Sequence, residues 1–223
     1  MAKPPRPFDV TLRDGSRVHI RPIRPDDKQR LQDGLRRLSR QSRYLRFHAP
    51  IEELSEAQLR YLTEIDYADH MAWVAEDATD PDGRGLAVAR YVRLRREPDV
   101  AEAAVTVADE HQGKGLGSIL LTLLCRSAIE HGIRSLRNYV LTANEAMLRV
   151  FDELGATRVD QGDGVTRVDM PLPRGPDELL DTPALRVLRA SAKRRIPPFR
   201  DLFARLERGN QGGSRSSRNR TSP

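Results

Sequence analysis

Residues 101 to 124, AEAAVTVADEHQGKGLGSILLTLL, hold the two pieces of chemistry that can be read most directly from this chain. The first is the run Gln112-Gly113-Lys114-Gly115-Leu116-Gly117, followed by Ser118 and an apolar stretch with helical spacing. Its glycines let a backbone approach a ligand with no Cβ in the way. A helix starting there adds unpaired N–H groups and the positive end of its dipole, so the loop suits a phosphate. The second is Glu102, in AEAAVTV. Strand alternation puts Glu102, Ala104 and Thr106 on one face. A carboxylate among small apolar neighbours on a central strand is expected to be desolvated. Its pKa then moves up toward the range useful in proton transfer. The plain alternatives are a helix start that needs only a tight turn, and a glutamate in water at a strand edge.

Two other glycine-loop chemistries fail on spacing. A Walker A loop needs Gly-x-x-x-x-Gly-Lys-Ser/Thr, whereas Gly115 follows Gly113-Lys114 and no glycine stands five residues before Gly113. A dinucleotide fingerprint needs Gly-x-Gly-x-x-Gly on a first strand, whereas this loop reads Gly-x-Gly-x-Gly and lies midway along the chain.

The elements that must position these residues follow from pattern. Phe8 to Leu12, a turn at Asp14-Gly15, and Arg17 to Ile23 read as a hairpin. Pro25-Asp26-Asp27 opens a helix with Leu31, Leu35 and Leu38 on one face. Arg43, Tyr44, Arg46, Phe47 and His48 form a basic-aromatic cluster on a short helix or loop. Packing with surface charge is favoured there over base stacking. Ser55 caps a helix carrying Leu59, Leu62 and Ile65. Strands are expected at 71–78, 85–95, 101–107 and 135–142, a helix at 145–154, and a closing hairpin at 157–160 and 166–170.

Composition bounds the rest. The chain has 223 residues and one cysteine, Cys125, in an apolar run that suits a buried thiol. An intramolecular disulfide is excluded and no metal cluster is offered, so no metal is expected. An 18-residue apolar run and a signal-like N-terminus are both lacking, so no membrane span and a cytoplasmic location are expected. The +6 net charge is uneven: residues 1–173 carry 26 basic and 27 acidic side chains, residues 174–223 carry 12 and 5. Nucleic acid is therefore left to the basic tail alone. There, Phe199, Leu202, Phe203 and Leu206 form an amphipathic stripe before a low-complexity end.

Gln112-x-x-Gly115-x-Gly117 between a strand and a helix resembles the acyl-CoA-binding motif of the GNAT superfamily of N-acetyltransferases. NEAMLRVFDELGA from Asn144 resembles that family's Asn-led helix. The opening LRDGSRVHIRPIRPDDKQRLQDGLRRLSRQSRYLRFHAP is similar to the start of the Pat-type protein lysine acetyltransferases. The resemblance spans residues 8 to 172. It implies a mixed α/β GNAT fold, with a mostly antiparallel sheet of about six or seven strands flanked by helices. The expected domains are a disordered 1–7, the acetyltransferase domain 8–172 and a basic extension 173–223. The implied co-substrate is acetyl-CoA, and the implied reaction is acetyl transfer to an amine.

A lysine amine has a pKa of about 10.4 and must lose a proton before it attacks. The resemblance assigns that general base to Glu102. It assigns backbone groups of Val107 to the pantetheine arm and the amides of Gln112, Gly113, Lys114, Gly115, Leu116, Gly117 and Ser118 to the pyrophosphate. Lys114 adds charge, and Asn144 hydrogen-bonds the pantetheine. Many family members place an acidic tyrosine seven residues after this asparagine. Here that residue is Phe151, so thiolate leaves unaided or takes its proton from water. Glu64, Asp66 and Asp69 read equally as an attractor for a cationic amine and as a solvated turn. The acceptor is expected to be a protein lysine. A small-molecule amine and a non-catalytic acyl-CoA sensor are the alternatives.

Overall fold

The computed structural model describes residues 2–12, 14–47 and 51–175. The amphipathic stripe, most of the 173–223 extension and His48 lie outside the described residues. One open sheet runs through the domain in the order β1-β2-β3-β4-β5-β6-β8-β7. Its strands are β1 Phe8–Thr11, β2 Arg17–Pro22, β3 His70–Asp77, β4 Gly85–Leu94, β5 Glu97–Val107, β6 Ser135–Leu141, β7 Thr157–Asp160 and β8 Val165–Pro171. Eight strands exceed the six or seven expected. The two edge strands, β1 and β7, have only four residues each, and each is held through a single hairpin partner. Every neighbour pair is antiparallel except β5 with β6.

The helices are α1 Lys28–Arg37, α2 Arg40–Phe47, α3 Glu56–Thr63, α4 Leu116–Glu130 and α5 Glu145–Glu153. Alternation along the strands sends Trp73, Ala89, Tyr91, Ala101 and Ala103 into the main core. Ile119, Leu120, Leu123 and Leu124 of α4 meet them there, and Leu148 and Phe151 of α5, with Leu154 at its C-cap, join the same cluster. Buried polar tips are satisfied: Trp73 Nε1 donates to Ser127 Oγ at 3.1 Å and Tyr91 OH to Ala68 O at 2.9 Å. Cys125 is buried in this core, and burial pushes its thiol up to about 12, well away from reactivity.

The opposite face packs Ile23, Ile65, Ala72 and Val74 against Leu31 of α1. A buried ionic knot lies here. Arg21 donates to both oxygens of Asp27, at 2.7 and 2.6 Å, and to both oxygens of Glu76. Burial alone would raise the Asp27 pKa, but the hydrogen bonds from Arg21 and the Arg24 amide outweigh it and hold the carboxyl below its usual range.

His70 is also buried on this face. Arg90 Nη1 stands 3.0 Å from its Nε2, and a guanidinium can only donate. Nε2 must therefore accept, which leaves the imidazole neutral with its proton on Nδ1. Burial, assisted by the Arg90 charge, depresses the His70 pKa from 6.5 to about 4. A depressed folded pKa means that the unfolded chain binds the proton more readily. This contribution to stability is present above pH 6.5 and is lost as pH falls from 6.5 to about 4. His70→Gln is expected to flatten that part of the stability profile, measured by urea unfolding at a series of pH values. An unchanged acid slope would contradict the assignment.

Candidate active site

The β5–β6 contact is where the sheet departs from regularity. Parallel pairing joins Val100 to Ser135, Ala101 to Leu136 and Glu102 to Arg137, and it extends no further. Yet β5 continues to Val107 and β6 to Leu141. Each strand remains paired on its outer side, β5 with β4 through Val107 and β6 with β8 through Leu141. Between them a wedge opens, with Glu102 at its last paired position. The backbone edge of β5 beyond Glu102 faces this wedge, and an extended ligand can pair with such an edge in place of a strand.

The glycine loop stands at the open end of the wedge. Gly115 is the N-cap of α4 at φ 90° and ψ 0°, a left-handed conformation that a side chain resists. Ile119 N donates the first helical bond, to Gly115 O at 3.1 Å. The amides of Leu116, Gly117 and Ser118 therefore have no helical acceptor. At Gly117 a Cβ would lie 3.4 Å from Val107 Cγ2 and 3.9 Å from Val105 Cγ1. These are ordinary van der Waals distances, and they show that the first turn of α4 lies directly on β5. The free amides and the positive helix end thus converge beside the wedge, an arrangement that favours an anion.

The remaining expected site residues fall around the same feature. Val107 ends β5, and its carbonyl accepts from Gln112 Nε2 at 3.2 Å. Lys114 Nζ is 3.9 Å from Asp14 of the β1–β2 turn. Asn144 is the N-cap of α5, its side chain accepting from Met147 N at 3.3 Å. Phe151 is buried, so its position supplies packing and no proton.

One expectation is corrected, and one pair of readings left open by the sequence is narrowed. Glu102 is exposed, not desolvated. It ends the parallel ladder, and its face of the strand opens beside the wedge. The acidic residues near α3 do not form a free attractor. Glu64 binds Lys28 at 2.6 Å, Asp69 binds Arg93 at 2.6 Å, and one Asp66 oxygen accepts from the amides of Ala68, Asp69 and His70. They shape the turn into β3.

Sequence reasoning missed two features. A cleft on the Glu102 face of the sheet is lined by Arg30, Leu31, Leu35, Val88, Arg90 and Thr106, among others. Its contacts near β5 are Thr106 and Ala108, and Arg90 on β4 pairs with Ala104, two residues along β5 from Glu102. Asp109, just before the loop, is the second, and its partners lie far away in sequence. Among the described residues, no group of three or more His, Cys, Asp or Glu side chains could hold a metal. No described helix is long and apolar enough to cross a membrane.

A splayed parallel pair, a glycine loop on the following helix and an Asn-capped helix beyond define a class, and comparison with known proteins agrees. Residues 36–156 match the acetyltransferase (GNAT) family model, and the chain belongs to that family of acyl-CoA-dependent N-acetyltransferases. It is 40% identical over 168 residues to the acetyltransferase Pat of Mycolicibacterium smegmatis, covering 74% of this chain and 49% of Pat. The chain thus spans about half the length of that relative. It is 37% identical over 158 residues to an acetyltransferase of Pseudomonas aeruginosa, covering 71% of this chain and 84% of that one. The crystal structure of the GNAT domain of S. lividans PAT superposes with a TM-score of 0.66 at 36% identity, covering 74% of this chain and 97% of that domain.

One prediction concerns the loop. A β-branched residue at the left-handed Gly115 is strained by about 1–2 kcal/mol. Gly115→Val is expected to raise the KM for acetyl-CoA about tenfold, by displacing the amides that precede Ile119. Steady-state kinetics with acetyl-CoA varied checks it, and an unchanged KM would contradict the assignment of the loop.

Proposed function

We propose that this chain transfers the acetyl group of acetyl-CoA to the side-chain amine of protein lysines, with Glu102 as general base. The observation that carries the reading is the wedge: β5–β6 pairing ends at Glu102, and the amides of the α4 N-terminus lie at the wedge's other end. The amides of residues 113–118 hold the pyrophosphate, the Gln112 amide being bonded to Asp109 O, and Lys114 adds positive charge. The β5 edge as far as Val107 aligns the pantetheine arm, and the Asn144 side chain adds a hydrogen bond to it. The thioester carbon then lies near the apex, beside Glu102.

The amine enters from the face that carries the Arg90–Thr106 cleft. Glu102 takes a proton from the ammonium, directly or through a water, and the neutral nitrogen then attacks the thioester carbon. The C–N bond forms, the C–S bond breaks, and the second proton that the nitrogen sheds reaches the leaving thiolate through water, since Phe151 has none to give. Glu102 is exposed in the chain alone, so it is open to an incoming amine.

Likeness to the Pat-type enzymes favours a protein lysine over a free amine as the acceptor. Thiol release from acetyl-CoA, followed in parallel with a panel of lysine-bearing proteins and with free polyamines, tests this. Faster release with proteins is the expected result. Release with polyamines alone would make the chain a small-molecule acetyltransferase.

A further inference from the structure

We infer that Asp109 is a positioning residue that couples the acetyl-CoA loop to helix α2. Asp109 opens the short 3-10 turn Asp109–His111, which leads straight into Gln112 and the glycine loop. One of its oxygens accepts from Ser39 N at 2.7 Å. The other accepts from Ser42 Oγ at 2.5 Å, Ser39 Oγ at 3.3 Å and Gln112 Nε2 at 3.3 Å. Ser39 is in turn the cap of α2: its Oγ accepts from Ser42 N at 3.1 Å, and its carbonyl accepts from Arg43 N at 2.9 Å.

The carboxylate therefore sits at the positive end of α2 and holds the donors that start that helix. The hydrogen bonds from Ser42 and Ser39 hold its pKa below the usual range, so it is ionised at neutral pH. On the loop side, Gln112 Nε2 is shared between Asp109 and the Val107 carbonyl. A ligand that fixes the backbone from Gln112 to Ser118 thus fixes Asp109, and Asp109 fixes the first turn of α2. The path is a contiguous chain of hydrogen bonds between two elements 67 to 70 residues apart in sequence. Cofactor binding should order the first turn of α2.

The inference rests on the assignment of the glycine loop to acetyl-CoA and is independent of the acceptor's identity. Its test needs only CoA and the full-length chain. Amide hydrogen exchange is followed by mass spectrometry, with and without saturating CoA, in wild type and Asp109→Ala. In wild type, CoA should slow exchange about tenfold in peptides spanning the loop and also in those spanning α2. In Asp109→Ala, protection should persist in the loop and be lost from α2. Equal α2 protection in the two proteins overturns the inference, as does protection confined to the loop in wild type. Ser42→Ala, which removes one α2 donor and leaves the Gln112 contact, provides a milder variant if Asp109→Ala does not fold. It should reduce the α2 response and spare the loop, and a full α2 response in it counts against the coupling. A failure of loop protection in wild type would instead strike the cofactor assignment itself.

Discussion

Glu102→Gln is expected to lower kcat by about a hundredfold or more, with the KM for acetyl-CoA changed by less than about threefold. Glutamine keeps the shape of the side chain and its place at the last β5–β6 pair, opposite Arg137. It removes only the capacity to take a proton. The amine must shed a proton before it attacks, and at neutral pH almost every lysine amine is protonated. Cofactor affinity should survive, because the loop amides and the β5 edge are untouched. The loss should be largest near neutral pH and shrink toward pH 10, where the free amine becomes abundant without help. Steady-state rates from pH 6.5 to 9.5 measure both the drop and its pH dependence. A drop of less than about fivefold across the range would remove Glu102 from the proposed mechanism.

Arg21→Met should destabilise the domain by about 3–5 kcal/mol. Arg21 and Asp27 are each 3% exposed and Glu76 is 8% exposed, and the guanidinium is bonded to both carboxylates. Methionine matches the length of the stem but leaves the two acids buried without their main partner. Arg30 lies 3.4 Å from Asp27 and 3.8 Å from Glu76, which places the expected effect toward the lower end. Without Arg21, burial would favour the protonated form of Asp27, so its folded pKa would rise above the unfolded one. The deficit should therefore be greatest at neutral pH and diminish in acid. Urea unfolding at neutral pH and near pH 4.5 measures both. A loss below about 1 kcal/mol would mean that the knot contributes nothing beyond packing. Adding Asp27→Asn and Glu76→Gln to the same chain should recover part of the stability, because neutral amides are less costly to bury than carboxylates.

How much of this could be read in the sequence depended on how far apart the interacting residues lie. The glycine loop was legible because its causes are local. Gly115 needs a left-handed backbone, and α4 begins at the next residue. The Ser55 cap of α3 and the Asn144 cap of α5 are local for the same reason. The wedge was not legible. It exists because β5 and β6, parallel strands joined through α4, pair at three positions and then part. No residue in either strand marks where that happens. The same ignorance produced the wrong environment for Glu102: alternation identified its face, but exposure depends on the neighbour that the strand lacks.

The acidic residues Glu64, Asp66 and Asp69 could not be resolved from pattern, because their partners are Lys28, the backbone of the next turn and Arg93. Asp109 was missed outright. It reads as one of two acids in an unremarkable turn, and only the fold brings Ser39 and Ser42 to it.

The most direct test of the central claim is to incubate the full-length chain with isotope-labelled acetyl-CoA and a panel of folded lysine-bearing proteins. Labelled sites are then located by mass spectrometry, and cofactor affinity is measured in parallel by calorimetry. The account predicts micromolar binding of acetyl-CoA, with label on lysine side chains that falls at least about a hundredfold with Glu102→Gln. Binding of acetyl-CoA with no label on any amine, from wild type or variant, would contradict it and leave a cofactor sensor.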